Sequence, residues 1–196
     1  MCYSPHSLKK QKTKFFFLTI GLPLPALLRT ALHVLNSTGR PLDAVQTYSH
    51  LTLQNSTLQP FAQALRTRAR IRHVLAASPL GNGLLVPPPT GPPAWHPAPE
   101  SLREAVREAV GVIGSEQAVA VAVAWSVRLA AGTGRMPVVV GMSNLREVHE
   151  AIASWRWAND QDIERREELE SKAALAQAVF ERTGTAGWTW SSGNWA

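Results

Sequence analysis

Leu42-Asp43-Ala44-Val45-Gln46-Thr47-Tyr48-Ser49 and, one helical stretch later, Ile71-Arg72-His73-Val74-Leu75-Ala76-Ala77 decide the fold. Both are short β-rich runs, read as strands over 43–49 and 71–77. Between them, residues 57–69 place Leu58, Phe61, Ala62 and Leu65 at helical spacing. A strand, a helix and a second strand in this order make a right-handed crossover between parallel strands. The same unit recurs on both sides. Upstream, the apolar run 15–20 reads as a strand, and 24–38 as a helix with Leu24, Leu27, Leu28, Ala31 and Leu35 on one face and Gly39 as its stop. Downstream, Pro137-Val138-Val139-Val140-Gly141 reads as a fourth strand. It is followed by a helix over 145–157, with Ser143 or Asn144 as cap and Val148, Ile152 and Trp155 facing inward.

The third and fourth units are separated by more than a turn. Residues 78–99 form a loop rich in glycine and proline, long enough to expect a function or disorder. Residues 100–112 are amphipathic and 116–131 read as a more deeply buried helix. From Asn159 the chain becomes a charged helix over 160–180 and then an aromatic tail, Gly187 to Ala196. Four strand–helix units predict an α/β protein with a parallel sheet, a pattern that doubly wound and barrel folds share. No GxGxxG follows a strand and no GxxxxGK[ST] occurs. Gly81-Asn82-Gly83 reads equally as a tight turn.

The formal charge is +6, and Lys9, Lys10, Lys12 and Lys14 supply four of those charges with no acid before residue 15. The rest is close to neutral, which argues against nucleic-acid binding. Cys2 is the one cysteine, so neither an internal disulfide nor a CxxC metal site exists, and the six histidines lack metal-ligand spacing. The basic stretch before Phe15 to Leu22 has the order of a signal peptide, charged then apolar. Pro23 and Pro25 interrupt it and no small-residue cleavage site follows promptly, so a buried parallel strand is the preferred reading and a cytoplasmic protein the expectation.

Five segments together resemble the aldo/keto reductase family, in its sugar-dehydrogenase branch. They are Gly21 to Pro25, Leu42 to Asn55, Ala77 to Leu85, Gly91 to Ala98 and Pro137 to Asn144. The resemblance runs over about residues 18–158 and corresponds to strands five to eight of the family's (β/α)8 barrel. It implies a half TIM barrel over 14–158, a basic leader over 1–13, and an added C-terminal helix and tail over 159–196. It also implies NAD or NADP as cofactor, laid across the C-terminal ends of the strands, with a sugar or aldehyde as the small-molecule substrate.

Carried over position by position, the resemblance makes Gln46 the holder of the nicotinamide carboxamide. Ser78 and Leu80 follow the pyrophosphate and ribose, and Gly141, Met142, Ser143 and Asn144 form the loop before the last barrel helix. Glu147 falls near the place of a 2′-phosphate, where a carboxylate favours NAD over NADP, although it also reads as a first-turn acid matched to the helix dipole. Glu150 matches an adenine-side acid, and Trp95 and His96 sit on a loop that would roof the substrate. Ala77 stands where many relatives carry a tyrosine, and Ala151 where the family has asparagine.

The resemblance also implies what is absent. The family's Asp-Tyr-Lys-His set lies on the first half of its barrel. Here the two tyrosines are Tyr3 and Tyr48, and no lysine lies between Lys14 and Lys172. Without a general acid, hydride transfer loses on the order of 10²–10⁴-fold. The expectation is a truncated, inactive chain. It keeps part of a cofactor site, or acts as a dinucleotide-binding or pairing module that associates through open barrel edges.

Overall fold

Val45, Val74 and Ala76 are buried against helices, and their neighbours along each strand point the other way, as the two-residue repeat of a strand requires. The computed structural model describes the backbone of residues 17–19 and the whole of residues 24–190. In chain order the elements are β1 (Phe17–Thr19), α1 (Leu24–Thr38), β2 (Ala44–Tyr48), α2 (Leu58–Thr67), β3 (His73–Ala77), α3 (Glu100–Ile113), α4 (Ala118–Gly132), β4 (Val138–Val139), α5 (Leu145–Ala158) and α6 (Ile163–Arg182). The strands form one parallel sheet in sequence order, with Leu18 opposite Val45, Val45 opposite Val74, and Ala77 opposite Val139. Among the described residues the architecture is α/β with a small parallel sheet and six helices, consistent with part of a barrel. The expected basic leader, Cys2, Tyr3, residues 15, 16 and 20 of the first strand, Gly21 to Pro23 and the end of the aromatic tail lie outside the described residues.

Two cores divide the molecule. In the first, α1 and α2 lie on one face of the sheet, where Leu27, Ala31, Leu58, Ala62 and Leu65 close on Val45 and Val74. α1 stops where expected: Gly39 takes φ +67 and its N–H donates to the Leu35 carbonyl at 2.9 Å, a left-handed end that glycine adopts without strain. In the second, α3, α4 and α6 pack on one another through Leu102, Val106, Val121, Leu169, Ala173 and Phe180. No strand residue belongs to this second core. Ion pairs from Arg182 to Glu108 and from Arg128 to Glu170 lie on its surface, where such pairs add little beyond the packing.

The stretch from Thr52 to Asn55, just after β2, is tied to the segment from Thr185 to Trp188. Gln54 donates from its amide to the Thr185 carbonyl at 2.6 Å, and Asn55 to the Gly187 and Trp188 carbonyls at 3.3 Å. The Gly187 N–H donates in return to the Gln54 carbonyl at 2.9 Å. Buried polar side chains at this density are stable because each finds partners.

Two expectations need correction. β4 spans two residues rather than 137–141, because β3 ends at Ala77 and Ser78 turns left-handed at φ 60, leaving Val140 and Gly141 no strand to pair with. Ile152 and Trp155 of α5 are 44% and 56% exposed, so they do not face the core; Ser154, Trp157 and Ala158 do. Val148 is half-buried. The periodicity marks a real apolar stripe, and nothing in this protomer's core receives it. No single helix among the described residues is long and apolar enough to cross a membrane.

Phe180 is 1% exposed at the junction of α3 and α6. Phe180→Ala is expected to lower unfolding free energy by about 3–5 kcal/mol, measured by urea denaturation, because the cavity cannot be refilled by rigid helices.

Candidate functional site

The C-terminal ends of β3 and β4 open onto a cavity of about 390 Å³. Its floor is the turn Ser78-Pro79-Leu80, its apolar wall is Val119 and Val123 of α4, and its far side is Gly141, Met142 and the first two turns of α5. Six of the residues singled out from the sequence line it: Ser78, Leu80, Gly141, Met142, Glu147 and Glu150. They come from two segments more than 60 residues apart in the chain, brought together because β3 and β4 are neighbours. The turn keeps its shape through left-handed residues at Ser78, Gly81, Asn82 and Gly83. Gly83 has no room for a side chain, since a Cβ there would stand 3.1 Å from the Pro93 ring at φ +92.

The N-terminus of α5 is closed by its own side chains. Asn144 caps it, accepting from the Glu147 N–H at 3.0 Å. The Glu147 carboxylate accepts from the Ser143 N–H at 2.6 Å, from the Ser143 hydroxyl and from the Asn144 amide at 2.8 Å. This is a variant of the capping box, in which the third-residue acid reaches back to the start of the helix. The Ser143 N–H holds the Glu147 carboxyl below the ordinary carboxylate range, with the Ser143 hydroxyl adding to the effect. Glu147 is therefore charged, and it occupies the Ser143 and Asn144 donors at the start of the helix. Ser143 and Asn144 serve the cap and do not line the cavity.

Three sequence expectations differ from the geometry. Gln46, expected to hold the nicotinamide carboxamide, lies in the middle of β2, opposite Thr19 and Leu75, and does not line the cavity. His96 is not a roof residue. It is buried, its Nε2 lies 2.8 Å from the Gly81 carbonyl, and its Nδ1 accepts from the Ala98 N–H at 3.1 Å. That pair of contacts defines the neutral ring with the proton on Nε2. Burial pushes its pKa down, and the Gly81 carbonyl opposes that shift. Trp190 packs edge-on to the same ring at 4.7 Å. Trp95 is 61% exposed, stacks on His96 at 5.9 Å and lies outside the cavity lining.

Sequence reading missed Arg146, the cation of the lining, which sits one residue before Glu147 and 3.8 Å from Glu150. The helical spacing from Asn144 held the signal, since a residue in the first turn faces the strand ends that the helix follows. Sequence reading also missed the buried His50 just after β2, whose Nδ1 lies 2.6 Å from the Thr47 hydroxyl.

No family model matches the chain. The chain is similar to L-galactose dehydrogenase of Arabidopsis thaliana, with 33% identity over 143 residues, which take in 73% of this chain and 42% of that protein. The chain thus spans about two fifths of the length of that relative. The likeness is distant; it suggests an aldo/keto reductase-like oxidoreductase and a nicotinamide cofactor for such a family.

Burial pushes the His50 pKa from 6.5 down to about 4. The unfolded chain therefore takes up the proton first as pH falls. Native stability is full above pH 6.5 and is lost as pH drops toward 4, by on the order of 3 kcal/mol from this group. Urea titrations across that window are expected to show a shallower pH slope for His50→Gln than for the parent chain; equal slopes would remove His50 as the cause.

Proposed function

We propose that this chain is the cofactor-side half of an aldo/keto reductase-type sugar dehydrogenase, related to but shorter than its relative, and that by itself it binds a nicotinamide dinucleotide without turning over substrate. The observation that carries this reading is the convergence of Ser78, Leu80, Gly141, Met142, Glu147 and Glu150 on one cavity at the C-terminal ends of parallel strands. Sites of barrel enzymes occupy that end of the sheet. A volume of about 390 Å³ falls in the range of small-molecule sites but suits the adenosine end of a dinucleotide better than the whole.

The residues present fit that group. Val119, Val123, Leu80 and Met142 offer apolar surface to a purine ring, and Ser78, Arg146, Glu147 and Glu150 offer polar groups at its edge. With two carboxylates against one guanidinium, the lining suits a ribose diol better than a 2′-phosphate, because like charges raise the free energy of binding. This favours NAD over NADP. A bound nicotinamide would supply the hydride acceptor or donor. The chain's own contribution is to hold and orient the cofactor and to keep water from its purine end.

Proton transfer is the step for which this chain lacks groups. Tyr48 lies on β2, and the sequence holds no lysine between Lys14 and Lys172. The substrate class under this reading is an aldose or other small aldehyde, recognised only when the missing general acid is supplied.

Titration of NADH and of NADPH into the purified chain tests the reading, with the seven tryptophans as reporters. Saturable NADH binding is expected, tighter than that of NADPH. Ala151→Trp, which fills the cavity from a half-buried position, should weaken NADH binding by at least tenfold while leaving the circular dichroism unchanged. Glu147→Gln should narrow the preference for NADH. Aldose oxidation by the chain alone, or a folded chain blind to both nucleotides, would defeat the proposal.

A further inference from the structure

Among the described residues, five of the ten large exposed apolar side chains, Val139, Met142, Leu145, Ile152 and Trp155, belong to the last strand–helix unit. On α5, Leu145, Val148, Ile152 and Trp155 follow one another at i, i+3, i+7 and i+10, a single helical stripe. Beside the stripe runs a groove walled by Val127, Met136, Val138 and Trp155. The groove borders β4, which among the described residues pairs on one side only, with β3. At the opposite end of the sheet, β1 pairs only with β2.

The sheet has a second feature of the same kind. Its helix-bearing face is packed by α1 and α2 through Val45, Val74 and Ala76, whereas Gln46, Tyr48, Leu75 and Val139 alternate to the other face and belong to neither core. Among the described strand residues that face carries no lysine, arginine or carboxylate, and one histidine, His73, at its start. Purely parallel sheets occur with both faces covered, and a face without charge is suited to burial. Two parallel edges, one sheet face outside both cores and one apolar stripe therefore ask for a partner together.

We infer that the partner is a second copy of this chain. A twofold axis running along the strands sets β4 of each copy beside β1 of the other, parallel as both require, and closes eight strands into one barrel. The same operation buries the uncharged faces in its interior and lays the α5 stripe against the partner's α1. Eight strands give a barrel whose interior side chains can fill, and one copy supplies four. A single added strand or helix from another protein satisfies one edge or the stripe, whereas a twofold copy satisfies all four features. The contact is isologous and so self-limiting. The inference does not rest on the cofactor reading and stands if nucleotide binding fails.

Light scattering on the full chain after gel filtration is the first test, with a mass twice the 21.4 kDa protomer expected. Trp155→Glu and Ile152→Glu, both at exposed positions, should give folded monomers with unchanged circular dichroism. Closure is tested separately. In a Cys2→Ser background carrying Thr19→Cys, opposite Gln46, and Val139→Cys, a bismaleimide should yield covalent dimers and nothing larger. A folded parent monomer, a polydisperse aggregate, dimers untouched by both charge variants, or a ladder of higher crosslinked species would each overturn the twofold barrel.

Discussion

Parallel pairing is the constraint from which the rest of this molecule follows. A strand that must lie parallel to its predecessor cannot return through a hairpin, so the chain crosses back each time through a helix. Crossovers of one hand place those helices on one face of the sheet. α1 and α2 thus cover the face carrying Val45 and Val74, and the strand ends that carry Ser78 and Gly141 are left together at one rim. The cavity is a product of that arrangement more than of any local motif. Its two contributing segments acquire a common surface only when β3 and β4 pair.

Charge at the rim is settled by a similar economy. The start of α5 needs acceptors for its free N–H groups, and Asn144 and Glu147 provide them from within the same turn. A carboxylate recruited for that purpose is held toward its charged form by the hydrogen bonds it accepts. The cap thereby sets the sign of the potential at one end of the cavity. Arg146, one residue earlier and 3.8 Å from Glu150, offsets part of it.

How much of this is legible in the sequence depends on how local each cause is. The bounds of α1 can be read because Leu24, Leu27 and Ala31 repeat at helical spacing and Gly39 ends the series. The six cavity residues can be named from motif likeness at strand ends. Three things cannot be read. The length of β4 depends on where its neighbour stops, which is a property of Ser78's left-handed turn. The direction of the Val148–Ile152–Trp155 stripe depends on what lies opposite, and periodicity reports a stripe without naming its partner. The role of His96 depends on Gly81, 15 residues earlier, and on Trp190. Proximity of that kind is created by folding and leaves no pattern in the chain.

The clamp of Gln54 and Asn55 on the segment from Thr185 to Trp188 spans 131 residues between Gln54 and Thr185. During synthesis the ribosome releases the loop after β2 well before its partners exist, by an interval on the order of ten seconds at ordinary elongation rates. Throughout that time the two amides are exposed to water, and the loop they hold has no native anchor. The first half of the sheet can pair early, but its rim is completed only when Thr185 to Trp188 emerge. A nascent chain stalled short of Thr185 therefore presents an unfinished rim to the quality-control machinery of the cell, however well its strands have formed.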